Sequence, residues 1–339
     1  MFPLSEKIKA FYTEHGKIIK IALYFIWAIL FGFLIYTTWK SRDQLIPYMV
    51  EADYSQSFIV IGVYLVALFL AVSNWAVIMR AFDKSISFWM HAKIYLVSMV
   101  SRRLPGTIWY VGGRMVLYEK MEVPSIKTAS ASGVEFIISF VADALLATVF
   151  IPLGLDLSKK WLIPLGIVVA LGLVALWPKN IEKIMLKLKH PLVQPVSVQQ
   201  VIGWLLLRMA LVLVGGVMIF FTIRIFEPFR VNKLLFILGA RALAGAAGML
   251  TFFLPSSMGA SDLTLLAMLT SIVPTSLATV IALLVRIYTT FFELIVGLIS
   301  FITLNNTFSF RESTSDATII FRKRIENSLE ECQEKRNND

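Results

Sequence analysis

Residues 57–79 read Ser-Phe-Ile-Val-Ile-Gly-Val-Tyr-Leu-Val-Ala-Leu-Phe-Leu-Ala-Val-Ser-Asn-Trp-Ala-Val-Ile-Met, 23 residues without an Asp, Glu, Lys or Arg. A helix rises about 1.5 Å per residue, so roughly 20 such residues cross the ~30 Å hydrocarbon core of a bilayer. Segments 21–39 and 161–177 are also free of charge. Unbroken apolar runs of this length are not the short alternating segments of a β-barrel. The fold class is therefore all-α and polytopic.

Working outward, six full spans are expected at 18–39, 57–79, 129–152, 161–177, 199–222 and 277–303. Two further apolar regions, 86–121 and 234–273, are interrupted by Leu104-Pro105 and Leu254-Pro255. Proline removes a backbone donor and disfavours helix at the residue before it. Each region should be two short helices joined by an irregular turn, with Gly106, Gly112, Gly113 and Gly259 near the breaks. This gives eight membrane segments. A basic lead (1–17) precedes the transmembrane domain (18–303), and a polar, partly helical tail (304–339) follows it.

Only 16% of the residues are charged, against about 25% in a soluble domain. The net charge of +10 fits basic cytoplasmic loops better than nucleic acid. With the N-terminus inside, cytoplasmic segments hold 21 Lys and Arg and the opposite side 7. Both termini are expected in the cytoplasm, in the cell (inner or plasma) membrane. The run from Ile18 is too long for a signal peptide and should remain as the first span. The lone Cys332 gives no disulfide and no thiolate cluster.

The two broken regions share a spacing: Pro105 precedes Val123-Pro124 by the same interval, 19 residues, that separates Pro255 from Val273-Pro274. Each is followed by a long span, and the two would enter from opposite faces if re-entrant. That is the inverted-topology repeat of many transporters. Complete spans with proline kinks would give the same sides for the termini.

Charges at membrane depth are costly, by roughly 2.5–3.5 kcal/mol on insertion scales, and usually face a partner or cavity. Arg102, Arg103 and Arg114 flank the first break. Glu135 and Asp143 lie in the third span and Arg208 in the fifth. Arg241 and Asp262 flank the second break, and Arg286 and Glu293 lie in the last span. Ser132, Glu135, Ser139 and Asp143 fall on one helix stripe. Arg286 and Glu293 share a face, with Thr289 and Thr290 between them. Ala240, Ala244 and Gly248 repeat every four residues, as ordinary close packing requires. Snorkelling explains Arg102 and is an option for Arg103. Arg208, Arg241 and Arg286 are too deep for it, which leaves internal pairing and substrate contact. Most of these charges should surround one cavity, with a slight positive excess.

No zinc-ligand spacing, nucleophile elbow, phosphate loop or paired-aspartate motif is present. His15, His91 and His190 read as loop or interface residues. No cofactor or metal is expected.

Residues 103–118, Arg-Leu-Pro-Gly-Thr-Ile-Trp-Tyr-Val-Gly-Gly-Arg-Met-Val-Leu-Tyr, resemble the Pro-Gly…Gly-Gly-x-Arg region of the flippase-like transmembrane family. That family includes the membrane portion of lysylphosphatidylglycerol synthetases. Residues 253–262, Phe-Leu-Pro-Ser-Ser-Met-Gly-Ala-Ser-Asp, resemble its second signature, and Arg286 corresponds to the arginine that follows. The resemblance covers roughly 57–303. Three departures stand out. Pro255-Ser256-Ser257 replaces Pro-Gly-Gly, and Asp262 replaces Glu. Glu135 is followed by Phe136 and Ser139 where the family often has Glu-Arg-x-x-Asp, with Asp143 one turn later.

The resemblance implies translocation of an anionic, aminoacylated or polyprenyl-phosphate-linked lipid between leaflets, without a synthetase domain. Two alternatives remain: a membrane subunit that presents a lipid-linked substrate to a separate glycosyltransferase or lipid synthetase, and a membrane-embedded transferase. The expected partner is a lipid with a phosphate head group.

Overall fold

The computed structural model describes residues 52–101, 108–153, 162–188, 195–250 and 257–337, with scattered positions between 36 and 50 and at 192. The expected first span lies almost wholly outside these residues. So do both breaks, with Arg102, Arg103, Pro105, Gly106 and Pro255.

Among the described residues all regular structure is helical. The elements are α1 (Ser55–Phe82), α2 (Phe88–Val100), α3 (Ile108–Glu119), α4 (Ser125–Phe150), α5 (Leu162–Ala175), α6 (Pro178–Lys187), α7 (Val198–Arg224), α8 (Leu234–Leu250), α9 (Ser257–Leu269) and α10 (Thr275–Asn337). Five helices are long and apolar enough to cross a membrane: Ser55–Phe82, Ser125–Phe150, Val198–Arg224, Val231–Leu250 and Thr275–Thr307. The chain is a multi-pass membrane protein by this measure.

Local chemistry sets the boundaries. Ser87 caps α2 by accepting from the Met90 amide, and Ser197 with Gln200 forms a capping box at the start of α7. Glu122 adopts a left-handed conformation (φ 65°), and the Val123 amide bonds back to the Tyr118 carbonyl before Pro124 opens α4. The segment expected to span at 161–177 yields a described helix of 14 residues, about 21 Å long. Trp177 and Pro178 end it and start α6, an amphipathic helix with Ile181 and Met185 buried and Lys179, Lys183 and Lys187 exposed. Such a helix suits a membrane surface. Helix α10 runs on to Asn337 with no break at residue 304, because no Gly or Pro follows Gly297 before its end.

Each broken region is an antiparallel helical hairpin. His91 meets Tyr118, Ser98 meets Arg114, and Ser101 faces Gly113 across α2 and α3. In the second hairpin Gly248 faces Ser261, while Ile237, Ala244, Leu265 and Leu269 share one core. The 12 and 13 residues of α3 and α9 are too few to cross the core alone. The 20 residues of Val231–Leu250 are not, so this half is longer than the short helix expected.

The hairpins pack crosswise. Helix α8 lies on α4, and α2 lies on α10. Helices α1 and α7 pack side by side between them. Small residues permit the close approach of α8. A Cβ on Gly239 would stand 2.9 Å from the Ile151 amide nitrogen, and one on Gly216 would stand 2.6 Å from Leu238.

On the side assigned above to the cytoplasm, Asp83 bonds Ser85 and Lys127, the latter at 3.0 Å, and ties the α1–α2 turn to α4. Burial works against its charge, but the Ser85 hydroxyl and amide and the Lys127 ammonium outweigh that. Its carboxyl is held below the usual range.

Candidate functional site

The deep charges divide into two groups. Arg114 is fully buried, and its guanidinium bonds Glu135 of α4 at 2.5 Å and Ser98 of α2 at 3.0 Å. It sits 4.0 Å from the centroid of Trp75, 4.7 Å from Tyr95 and 5.0 Å from Tyr110. Three rings and one carboxylate thus replace its water shell. Below it, Trp75 Nε1 donates to Tyr118 Oη at 2.8 Å, and Tyr118 bonds His91 Nδ1. His91 is therefore a buried residue of α2, not a loop residue.

The second group surrounds a cavity between α1, α2, α7, α8, α9 and α10. It has two lobes, about 190 Å³ and 290 Å³, and Ile219, Arg241, Val285, Thr289 and Glu293 line both. Together they fall in the range of roughly 300–1,000 Å³ common for small-molecule sites. Arg208, Tyr64 and Tyr95 line the smaller lobe. Ser261, Asp262 and Arg286 line the larger.

Charges of alternating sign run across this site. Arg208 Nη2 is 3.7 Å from Asp143 Oδ2. Arg241 lies within electrostatic range of Asp143, Arg208 and Asp262. Arg286 Nη1 donates to Asp262 Oδ2 at 2.8 Å. The first contact is an ion pair without hydrogen-bond geometry, and the last is a charge-assisted hydrogen bond. Asp143 is fully buried behind the arginines, against Gly245 of α8. The Arg286–Asp262 pair is about one-third exposed on each side.

The stripe Ser132, Glu135, Ser139 and Asp143 is buried along its length, but its two acids serve different partners on different helices. Arg114 and Glu135 are not at the cavity. With that pair withdrawn, three arginines face three carboxylates (Asp143, Asp262 and Glu293) among the described residues. The positive excess expected from the sequence turns on Arg103, which lies outside them. Gly112 and Gly113 lie within α3, just before Arg114, and Gly259 lies within α9.

Sequence reasoning missed the aromatic cage. Tyr110 and Tyr118 stand four residues either side of Arg114 on α3, a spacing legible in the chain, but nothing in the sequence brings Trp75 of α1 and Tyr95 of α2 to the same guanidinium. Among the described residues no group of three or more His, Cys, Asp or Glu is placed to hold a metal ion. Compared with known proteins, the chain matches no family model and no curated protein.

Proposed function

We propose that the chain is a lipid translocase of the flippase-like type, which holds the phosphate-bearing head group of a membrane lipid in the two-lobed cavity while the tails stay in the bilayer. The carrying observation is the convergence of Arg208, Arg241 and Arg286, from three membrane helices, on one cavity. Guanidinium groups present planar paired donors that match phosphate oxygens. The alternation of charge lets the empty site exist at membrane depth without a naked arginine, and the partly exposed Arg286–Asp262 pair can open toward a ligand.

The resemblance of 103–118 and 253–262 to the flippase-like family supports this reading, as does an inverted-topology repeat. In that repeat α1–α4 corresponds to α7–α10. The crosswise packing of α2 on α10 and α8 on α4 is the pattern such a two-fold produces. Val123 and Val273 of the two Val-Pro pairs are both buried. The ion pairs correspond with their signs exchanged: Arg114 on α3 meets Glu135 on α4, and Asp262 on α9 meets Arg286 on α10. The hairpins then enter from opposite faces, with both termini in the cytoplasm of a cell membrane.

Native mass spectrometry of the purified protein tests the reading. Phospholipid should be retained by the wild type and depleted in Arg286→Ala. Equal retention would remove the head-group role. A subunit that only presents lipid to a glycosyltransferase would bind lipid in the same way but would not move it between leaflets.

A further inference from the structure

We propose that Arg208 and Arg241 form a phosphate subsite whose occupancy is coupled to uptake of a proton by Asp143. The inference deepens the reading above and rests on it in one respect, that a phosphate-bearing head group reaches the cavity.

The side chain of Asp143 is 1% exposed, yet among the described residues neither carboxylate oxygen has a hydrogen-bond partner. Arg208 Nε is likewise buried with no hydrogen-bond partner among them. A carboxylate can accept about four hydrogen bonds, and a buried one is costly without them. Asp143 is therefore held chiefly by the charge of the arginines beside it. Its charged neighbours are Arg208 from α7 and Arg241 from α8. The other helices packed on α4 bring no competing charge. Arg114 of α3 is turned to Glu135, α5 has no charged residue, and α1 has none between Ser57 and Met79.

Arg208 and Arg241 line the cavity and Asp143 does not. A phosphate thus meets the arginines from the cavity side while Asp143 stands behind them. Once the guanidiniums bind phosphate, their field at Asp143 weakens, and the buried carboxylate takes a proton from bulk water. When phosphate leaves, the proton returns. Only the O–H bond of the carboxyl forms and breaks. Coupling is reciprocal, so protonation of Asp143 strengthens anion binding by the same factor that anion binding strengthens protonation. Anion and proton then travel together, and a pH gradient can drive the lipid.

The test is proton uptake on binding. Weakly buffered protein with an indicator dye receives either dimethyl phosphate or vesicles of phosphatidylglycerol, two phosphodiester anions that do not themselves titrate near neutrality. Both should make the medium more alkaline. Affinity should rise as pH falls, by at most about tenfold per unit. Asp143→Asn should bind at least as tightly, without pH dependence and without proton uptake. Binding by wild type with no proton uptake would overturn the coupling, and needs no variant to fold. So would uptake that persists in Asp143→Asn, or that is lost in Glu293→Gln and kept in Asp143→Asn. Coupled binding of dimethyl phosphate but not of phosphatidylglycerol would leave the subsite standing and remove its lipid role. Translocation of phosphatidylglycerol without uptake would do the reverse. Binding of neither overturns both.

Discussion

Arg286 of α10 donates a 2.8 Å hydrogen bond to Asp262 of α9 at the wall of the larger cavity lobe, with both side chains about one-third exposed. This pair is accessible to a ligand, whereas Arg114–Glu135 is closed off. The contrast decides which arginine should matter for transport and which for folding.

Arg286→Ala removes a planar charged donor from the cavity. Water can reach the Asp262 left behind, so the protein should fold with near wild-type thermal stability. Lipid translocation should fall by about tenfold or more, the equivalent of one charge-assisted hydrogen bond. Arg286→Lys keeps the charge without the fork and should restore only part of the rate. Wild-type translocation by Arg286→Ala would show that the residue is not a head-group contact.

Arg114→Ala should instead damage stability. It strands Glu135 in a buried site and empties a space walled by Trp75, Tyr95 and Tyr110. Breaking a buried pair from one side costs about 3–5 kcal/mol. Detergent thermal-shift measurements should show a large loss, with Arg114→Ala and Glu135→Ala both affected and the double variant less than additive. An Arg114→Ala protein as stable as wild type would contradict the cage.

How much of this was legible in the chain follows from what each signal requires. The charge-free run 57–79 corresponds to a helix long and apolar enough to cross a membrane, so that span was readable from composition, whereas 161–177 is equally free of charge and yields a described helix of only 14 residues. Proline at 105 and 255 marked two interrupted regions, and the described halves are indeed paired helices. Convergence of Arg208, Arg241, Asp262, Arg286 and Glu293 was readable because a buried charge must find a partner. The partner's identity was not. Whether Arg114 joins the cavity or leaves it for Glu135 depends on how α3 seats against α4. That seating is set by residues such as Trp75 and Tyr95, from two other helices whose packing angles no local pattern fixes. The placement of Asp143 likewise depends on Gly245, a residue with no signal of its own.

Gly245→Ala tests that last contact. A Cβ there would stand 2.5 Å from Asp143 Oδ2, so the carboxylate or α8 must shift. Overpacking of this kind costs about 1–3 kcal/mol. The variant should lose stability of that order. It should also bind phosphodiester with altered pH dependence, since Asp143 moves relative to Arg208 and Arg241. Gly203→Ala, where a Cβ meets open space, should be nearly silent. Equal behaviour of the two variants would contradict the close approach.

Topology gives an independent check. Reporter fusions after Asp339 and at Ser158 should report opposite sides, with Asp339 cytoplasmic. Cysteines at Thr107 and Ser257 should label slowly, each through the polar interior from its own face. Rapid labelling of both from the cytoplasm would contradict the opposed hairpins.

Movement of a phosphate-bearing lipid between leaflets can be followed in phosphatidylcholine vesicles that hold the purified protein and a trace of fluorescently labelled phosphatidylglycerol. An impermeant quencher added outside destroys only the outer-leaflet label. With wild-type protein nearly all of the label should become quenchable, and with Arg286→Ala the slow phase should lengthen by about tenfold. Quenching that stops at the outer-leaflet fraction, in vesicles where the protein is inserted and folded, would contradict translocation of this phosphodiester lipid.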